Sequence, residues 1–504
     1  MNAPIDVGRR RQLFIDQRFI ERSQGVRLCM NPPVQHPDPV LVPDRPWESN
    51  GVGAYNTVLL EPDGRFRMWY DAGVKGGLPS AGARRLGYAE SEDGLTWHKP
   101  NLGLISFQGS KDNNLVAPLN EQQSLQGATV LRDDNAPEAE RYRLWTKFLP
   151  TKQEQEAGAR PGLWGMYSAD GLRWSYYPGQ PNPKGACDTQ NMFFWDDRLA
   201  CFVGYTRVSA TQHLDEAAEA EGRKKYRSIG RVTSPDFRTW SELQIVFEAD
   251  EGDLTMPVPV RAMPVPVQTD SVTANIDYYT SCAMKYEWAQ DVYLMMPSAY
   301  YHWGEGQYPA TMDVQLLTSR DGVRWDRAGD RQPFLRQGPD GSSTSGMLFA
   351  NPWLLPVGDE LWLYYAGTPR SHGAMPAGTC EQDFAQRTGI FRASLRRDGF
   401  ISADADYDGG ELTTPLLTFA GDRLRLNCDG SAGGWLQVEV LDAEGRPSAG
   451  FRLEEADGLR GNGLDKLVTW KGSPHIGALA GQPVRLRFVM RGMKLYAFEF
   501  GLGK

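Results

Sequence analysis

One seven-residue pattern recurs along this chain and limits what it can fold into. It reads SEDGLTW from Ser91 to Trp97, SADGLRW from Ser168 to Trp174, SPDFRTW from Ser234 to Trp240 and SRDGVRW from Ser319 to Trp325. A fainter fifth copy, LRRDGF, runs from Leu395 to Phe400. Each copy follows an aromatic-rich run with strand character: RFRMWYDAG from Arg65, RYRLWTKF from Arg141, RLACFVGY from Arg198, DVYLMMPSAY from Asp291 and ELWLYYAGT from Glu360. Before each run lies another extended segment, as in AYNTVLLEP and NMFFWDD. Asp-Gly suits a tight turn because both residues tolerate positive φ. A serine or aspartate side chain can bond the amides of the bend, and the tryptophan is large enough to pack one sheet on its neighbour.

Five such antiparallel sheets cannot each bury both faces alone. Radial stacking buries them and leaves few exposed edges. The fold expected is therefore all-β, a five-bladed β-propeller over residues 1–403 followed by a β-sandwich over 404–504. The blades are expected near residues 50–100, 125–180, 188–247, 271–328 and 345–403, after an N-terminal lead-in. Beyond Ala403 the repeat stops, and ELTTPLLTF, RLRLNC, WLQVEVLD and VRLRFVMRG alternate as strands of a sandwich do. Three excursions interrupt the repeats and are expected to wall one end of the channel: Val208 to Lys225, the proline-rich Glu248 to Asp270, and Pro369 to Arg387.

Composition removes several classes of function. With 40% apolar and 23% charged residues, and no run of eighteen apolar residues, nothing is expected to cross or enter a membrane. A formal charge of -9 speaks against nucleic acid as a partner. The start, MNAPIDVGRRRQLFID, lacks a secretory core, and the six cysteines are scattered, so a reducing, cytoplasmic location is expected. No phosphate-binding glycine loop occurs, and the six histidines form no ligand spacing, so neither cofactor nor metal is expected. Oligomeric state leaves no sequence signal.

The aromatic-rich blades, their SxDGxxW turns and the C-terminal strands resemble the five-bladed propeller superfamily of glycoside hydrolases, which includes fructan hydrolases, arabinanases and mannoside phosphorylases. The segments RQLFIDQRFIERSQGVRLCMNPP and GYAESEDGLTWHKPNLG look like a poorly characterised bacterial branch of it. The resemblance spans essentially the whole chain. It implies cleavage of a glycosidic bond in a small or oligomeric carbohydrate. The WMNDPNG-like and RDP segments of the fructan branch are absent; the corresponding region here reads RPWESNGVGAYNTVLL.

Glycoside cleavage uses two carboxyl groups, one protonated and one ionised. Aspartates at the same place in four turns, Asp93, Asp170, Asp236 and Asp321, are explained by turn geometry. Acids at the entry of inner strands are the better candidates: Glu48 as proton donor beside Trp47, Asp188 as base or nucleophile, and Asp277 orienting the substrate. Trp47, Tyr55, Gln190, His302 and Trp303 are the expected substrate contacts. A phosphorylase would need cations at the pocket, for which Arg132, Arg231 and Arg261 are available. A non-catalytic carbohydrate-binding propeller is the reading from another class.

Overall fold

The computed structural model describes residues 3–74, 83–180, 183, 188–208, 227–255, 276–301, 310–372 and 385–502. It is almost entirely β, with five-residue helices at Lys152–Glu156 and Glu251–Thr255. No helix among the described residues is long and apolar enough to cross a membrane.

The first sheet joins Val52–Leu60, Phe66–Val74, Ala83–Ser91 and Leu115–Ala117 in sequence order, all antiparallel. The second repeats this order with Ser124–Arg132, Tyr142–Leu149, Gly162–Ser168 and Ser175–Tyr176, and the third with Met192–Asp196, Cys201–Val208, Ser228–Ser234 and Gln244–Phe247. The fourth follows the same path but breaks midway. Ile276–Tyr278, Ser298–Tyr301 and Thr311–Val314 pair on one side of the break. Ala283–Lys285, Tyr293–Met295, Leu317–Ser319 and Asp326–Arg327 pair on the other. Pro297 lies at the break, where it has no N–H to give to a ladder.

The fifth takes three strands from Met347–Val357, Glu360–Thr368 and Gly389–Arg396, and a parallel pairing of Met312 with Met347 joins it to Thr311–Val314 of the fourth in one seven-stranded sheet. Its fourth strand, Val34–Gln35, comes from the other end of the chain and pairs with Ser394 and Ala393. That explains why the fifth copy of the turn is faint. After Arg396 the chain leaves for another sheet instead of doubling back.

The recurring turns are built as the sequence implies. In the first, Ser91 Oγ accepts from Gly94 N at 2.9 Å, while Asp93 Oδ1 accepts from Leu95 N and Thr96 N at 2.8 and 2.7 Å. The second and fourth repeat these bonds around Ser168 and Asp170 and around Ser319 and Asp321. The third has Phe237 where the others have glycine, with a left-handed φ of 65°, and it fills the core against Trp145.

Each turn is met by an aromatic side chain from the second strand of another sheet. Tyr364 of the fifth sheet donates to Gly94 O at 2.7 Å, Trp69 of the first to Gly171 O at 2.7 Å, and Tyr205 of the third to Gly322 O at 2.6 Å. Trp145 of the second sheet lies 4.3 Å from Trp240. The faint fifth turn is met differently, by Tyr286 just after the strand Ala283–Lys285, which donates to the Asp398 carboxylate at 2.7 Å. The first strands also touch in series. Thr57 Oγ1 donates to Ala128 O, Gln190 Nε2 to both Asn56 O and Ala128 O, Cys282 Sγ to Asn351 O, and Asn56 N to Asn351 Oδ1.

The remaining strands form two further sheets and one parallel pair. One sheet runs Asn462–Leu467, Arg423–Asp429, Met493–Gly501, Ile401–Ala405, Val26–Met30, with Gln12–Leu13 on Met493–Gly501. The other runs Arg22–Gln24, Gly410–Thr413, Arg485–Arg491, Trp435–Leu441, Leu459–Arg460. The pair joins Ile5–Gly8 to Leu417–Phe419. One core, including Phe14, Phe19, Leu426, Val438, Phe488 and Phe498, draws on both sheets. The segment expected as a lead-in thus supplies strands to the C-terminal sheets.

Candidate active site

A cavity of about 460 Å³ is lined by residues from four of the five sheets and from the segment after Thr368. Gly53, Tyr55 and Arg84 come from the first sheet, Gln126 from the second, Tyr279 from the turn after Ile276–Tyr278, Met347 and Phe349 from the fifth, and Arg370 and His372 from the following segment.

Asp277 and Tyr279 are two residues apart in extended chain and so share a face. Tyr300 lies opposite Asp277 on the neighbouring strand. His372 sits between the two tyrosines, its Nε2 3.2 Å from Tyr279 Oη and its Nδ1 3.1 Å from Tyr300 Oη. Arg227 bonds the Asp277 carboxylate through Nη1 at 3.0 and 3.2 Å and through its backbone N–H at 2.9 Å. Its guanidinium also lies 4.4 Å over the Tyr300 ring and 5.2 Å over Tyr279.

Asp188 precedes the first strand of the third sheet. Lys147 Nζ donates to Oδ1 at 2.6 Å and Arg207 Nη2 to Oδ2 at 2.8 Å. Arg207 lies 4.8 Å over the Tyr279 ring, which links Asp188 to the same cluster. Thr189, next in sequence, donates to Tyr55 Oη at 2.9 Å. Burial pushes the Asp188 carboxyl up, but Arg207 and Lys147 together hold it below the ordinary aspartate value. Its side chain stays 40% exposed, so it remains reachable. Burial, reinforced by Arg227 and Arg207, pushes the His372 ring down to about 4, so it is neutral near pH 7.

Asp188 and Asp277 are thus brought to one cluster, although neither lines the cavity itself. Glu48 is not part of it. Its carboxylate is fully buried and accepts from Lys99 Nζ at 2.8 Å on both oxygens, from Tyr70 Oη at 2.6 Å, and from Asp44 N and Arg45 N at 2.8 and 3.0 Å. Trp47 donates to Asn114 Oδ1 at 2.8 Å and packs edge-on against Phe107. Tyr55 lines the cavity, whereas Gln190 is buried with its amide bonded to the Asn56 and Ala128 carbonyls. His302 and Trp303 lie outside the described residues, as does Arg261. Arg132 bonds Glu61 and Asp134, and Arg231 lies opposite Tyr205 within the third sheet, so neither lines this cavity.

One further carboxyl was not anticipated. Asp71, on the second strand of the first sheet, is fully buried, and its two oxygens accept from Gly127 N at 3.2 Å. It lies directly behind Gly53, where a side chain would strike it. Arg84 stands 3.9 Å away. Burial, opposed by Arg84 and the Gly127 amide, pushes the Asp71 carboxyl up to about 7. Alternation could have found it, since Trp69 and Asp71 share a face of RFRMWYDAG, but nothing in that run marks an acid as special. Among the described residues no cluster of His, Cys, Asp and Glu could hold a metal ion.

No family model matches the chain, and no curated protein matches it. Solved structures similar to it include an N-acetylgalactosamine deacetylase from F. plautii in complex with blood group B trisaccharide, at 14% identity and a TM-score of 0.46, covering 74% of this chain and 96% of that one. A glycosyl hydrolase from Bacteroides ovatus matches at 13% identity and a TM-score of 0.43, covering 78% and 94%. A β-1,2-mannobiose phosphorylase from Listeria innocua matches at 13% and 0.43, covering 73% and 97%. None of these three likenesses bears on what the residues of this chain do.

Proposed function

We propose that the chain is a glycoside hydrolase, acting on a small or oligomeric carbohydrate in a pocket at one end of a five-bladed β-propeller. The cyclic pattern of turn-to-aromatic contacts supports the propeller reading. The two remaining sheets with their shared core support a C-terminal β-sandwich. We retain the division at residues 403 and 404, with Ile5 to Met30 joining the sandwich by strand pairing and bracing the propeller through it. Among the described residues the four cysteines, Cys29, Cys201, Cys282 and Cys428, are free thiols, which supports a cytoplasmic location.

The observation that carries the activity is the convergence of Asp188 and Asp277 on one aromatic and cationic cluster beside the cavity. Asp188, kept ionised yet partly exposed, is assigned the base or nucleophile. Asp277, locked by Arg227, orients the site. Glu48 keeps a structural role, because both its oxygens are committed to Lys99. The proton donor is assigned to Asp71, whose carboxyl keeps its proton up to about pH 7 behind Gly53. Aromatic faces at Tyr55 and Tyr279 offer apolar contact to a sugar ring.

The test is a screen of aryl glycosides and oligosaccharides with the purified chain, in phosphate-free and phosphate-containing buffer. Cleavage without phosphate is expected. Turnover that requires phosphate would make the chain a phosphorylase, and binding without turnover would make it a carbohydrate-binding propeller.

A further inference from the structure

The first strands of the five sheets open onto a cavity at each end. The candidate active site gathers residues from where they begin: Val52 and Tyr55 in the first sheet, Gln126 in the second, Tyr279 in the fourth and Met347 in the fifth. A second cavity, of about 620 Å³, gathers residues from where they finish: Leu60, Arg132, Trp195, Lys285 and Leu355, one from each sheet. Among the described residues the two linings share no member, so the cavities are separate and lie at opposite ends of these strands.

Tryptophan sets the second cavity apart. Trp195, Trp288 and Trp353 line it, whereas the described lining of the candidate active site has none. Trp195 is the most exposed tryptophan among the described residues, at 41%, with its ring edge-on to Phe202 at 5.1 Å. Trp288, half-buried, leans on Tyr286 at 5.1 Å. Trp353 is held in place against backbone preference. Its φ of 77° is left-handed, a region that a bulky side chain rarely enters. The ladder between Met347–Val357 and Glu360–Thr368 shifts register between Ala350 and Leu354, around Trp353. Its indole then donates to Val130 O of the second sheet at 3.0 Å. Such strain persists only where the surroundings over-determine it, and it gathers at ligand sites.

Hydrogen-bond acceptors stand beside the indoles. Asp134, Asp197 and Glu287 are exposed residues of the lining. Asp134 pairs with Arg132 and Asp197 with Lys285, and an ionised carboxylate so paired still has lone pairs for further donors. With Asp133, four carboxylates face two cations in this lining, which disfavours a ligand bearing phosphate or carboxylate. Flat indole faces next to acceptors match a pyranose, which presents C–H groups on one face and hydroxyl donors around its edge.

We propose that this second cavity binds a neutral saccharide, with Trp195 and Trp288 stacking on the sugar and Asp134, Asp197 and Glu287 accepting from its hydroxyls. The site requires no glycosidic cleavage and so is independent of the activity proposed above.

Fluorine NMR of the full chain labelled with 5-fluorotryptophan tests it, by titration with neutral gluco-, manno-, galacto- and xylo-oligosaccharides. Trp195→Phe and Trp288→Phe assign the two resonances. Both are expected to shift with at least one series and to give the same Kd. That Kd should be unchanged in Asp188→Asn, where the other cavity is altered. Trp195→Ala, at an exposed position, should weaken binding roughly 10-fold, the scale of a tryptophan anchor removed, as read at Trp288. Glu287→Gln should weaken it less and gives an independent check.

If neither resonance shifts with any series at millimolar concentration, the proposal is overturned. Shifts with tetramethylammonium and with no saccharide would also overturn it, in favour of a cation held by indoles and carboxylates. Saccharide binding here by a chain that cleaves no glycoside would keep this site and sink the proposed activity, and cleavage without these shifts would do the reverse.

Discussion

The aspartates at the turns and those beside the cavity are chemically the same residue in opposite company. Asp93, Asp170, Asp236 and Asp321 accept from backbone amides one turn away and are held below the ordinary aspartate value, with burial opposing and the amides prevailing. Their partners are local, so the same seven residues rebuild the same environment wherever they recur. Asp188 takes Lys147 from the second sheet and Arg207 from the third. Asp277 takes Arg227 across 50 residues of sequence. Local partners make an acid structural and legible, whereas distant partners make it specific to one place in the fold.

The comparison predicts its largest effect at the cavity. Asp188→Asn is expected to lower kcat roughly 10³-fold, the scale of an acid or base removed, while thermal unfolding moves far less. A melting shift as large as that of a core truncation, with activity per folded molecule unchanged, would move Asp188 into the structural class.

Glu48→Gln should do the reverse. It leaves Lys99, 6% exposed, without its buried counter-charge. Denaturant titration should show a loss of about 3 kcal/mol, with kcat of the folded fraction retained. A large fall in kcat at unchanged stability would return Glu48 to catalysis.

Stability should also carry a pH signature from the two carboxyls that burial pushes up to about 7, Asp71 and Asp313. Their folded values lie above the unfolded value near 4, so folding takes up protons. The stability these two groups contribute is greatest below about pH 4, declines as pH rises towards about 7, and is absent above that. Each group contributes at most about 4 kcal/mol to this decline. Asp71→Asn should flatten part of the slope in denaturant titrations across this range. If Asp71 donates the catalytic proton, the same variant should also remove the alkaline fall in kcat.

The smallest effect belongs to the turns. Asp170→Ala frees two backbone amides and should cost about 1 kcal/mol, as loss of a helix cap does, with kcat unaltered.

What could be read from the sequence follows the same division. The repeat turns and the strand order of the first three sheets rest on short-range patterns, whereas Asp188 and Asp277, expected to line the pocket, stand beside it and are held by partners up to 50 residues away. Glu48 was misleading for a physical reason. A position just before an inner strand does not say which way the side chain turns, and its partner Lys99 is 51 residues on. The fourth strand of the last sheet was hidden because VQHPDP carries no repeat signal. His372 lay in an excursion expected to wall the channel, but its two tyrosine partners are 72 and 93 residues away.

The strand at Val34–Gln35 also sets a timetable for biosynthesis. His36 is separated by 358 residues from Ser394, its partner on the last sheet. At about 5–20 residues per second, a ribosome needs roughly 20–70 s to make that stretch. Throughout that interval Val34–Gln35 lacks its partner strand, while the first three sheets can form behind it. A nascent chain paused before Gly389 therefore presents unpaired strand edges, the kind that attract other chains. Closure of the last sheet thus waits on the synthesis of Gly389–Arg396, long after Val34–Gln35 has been made.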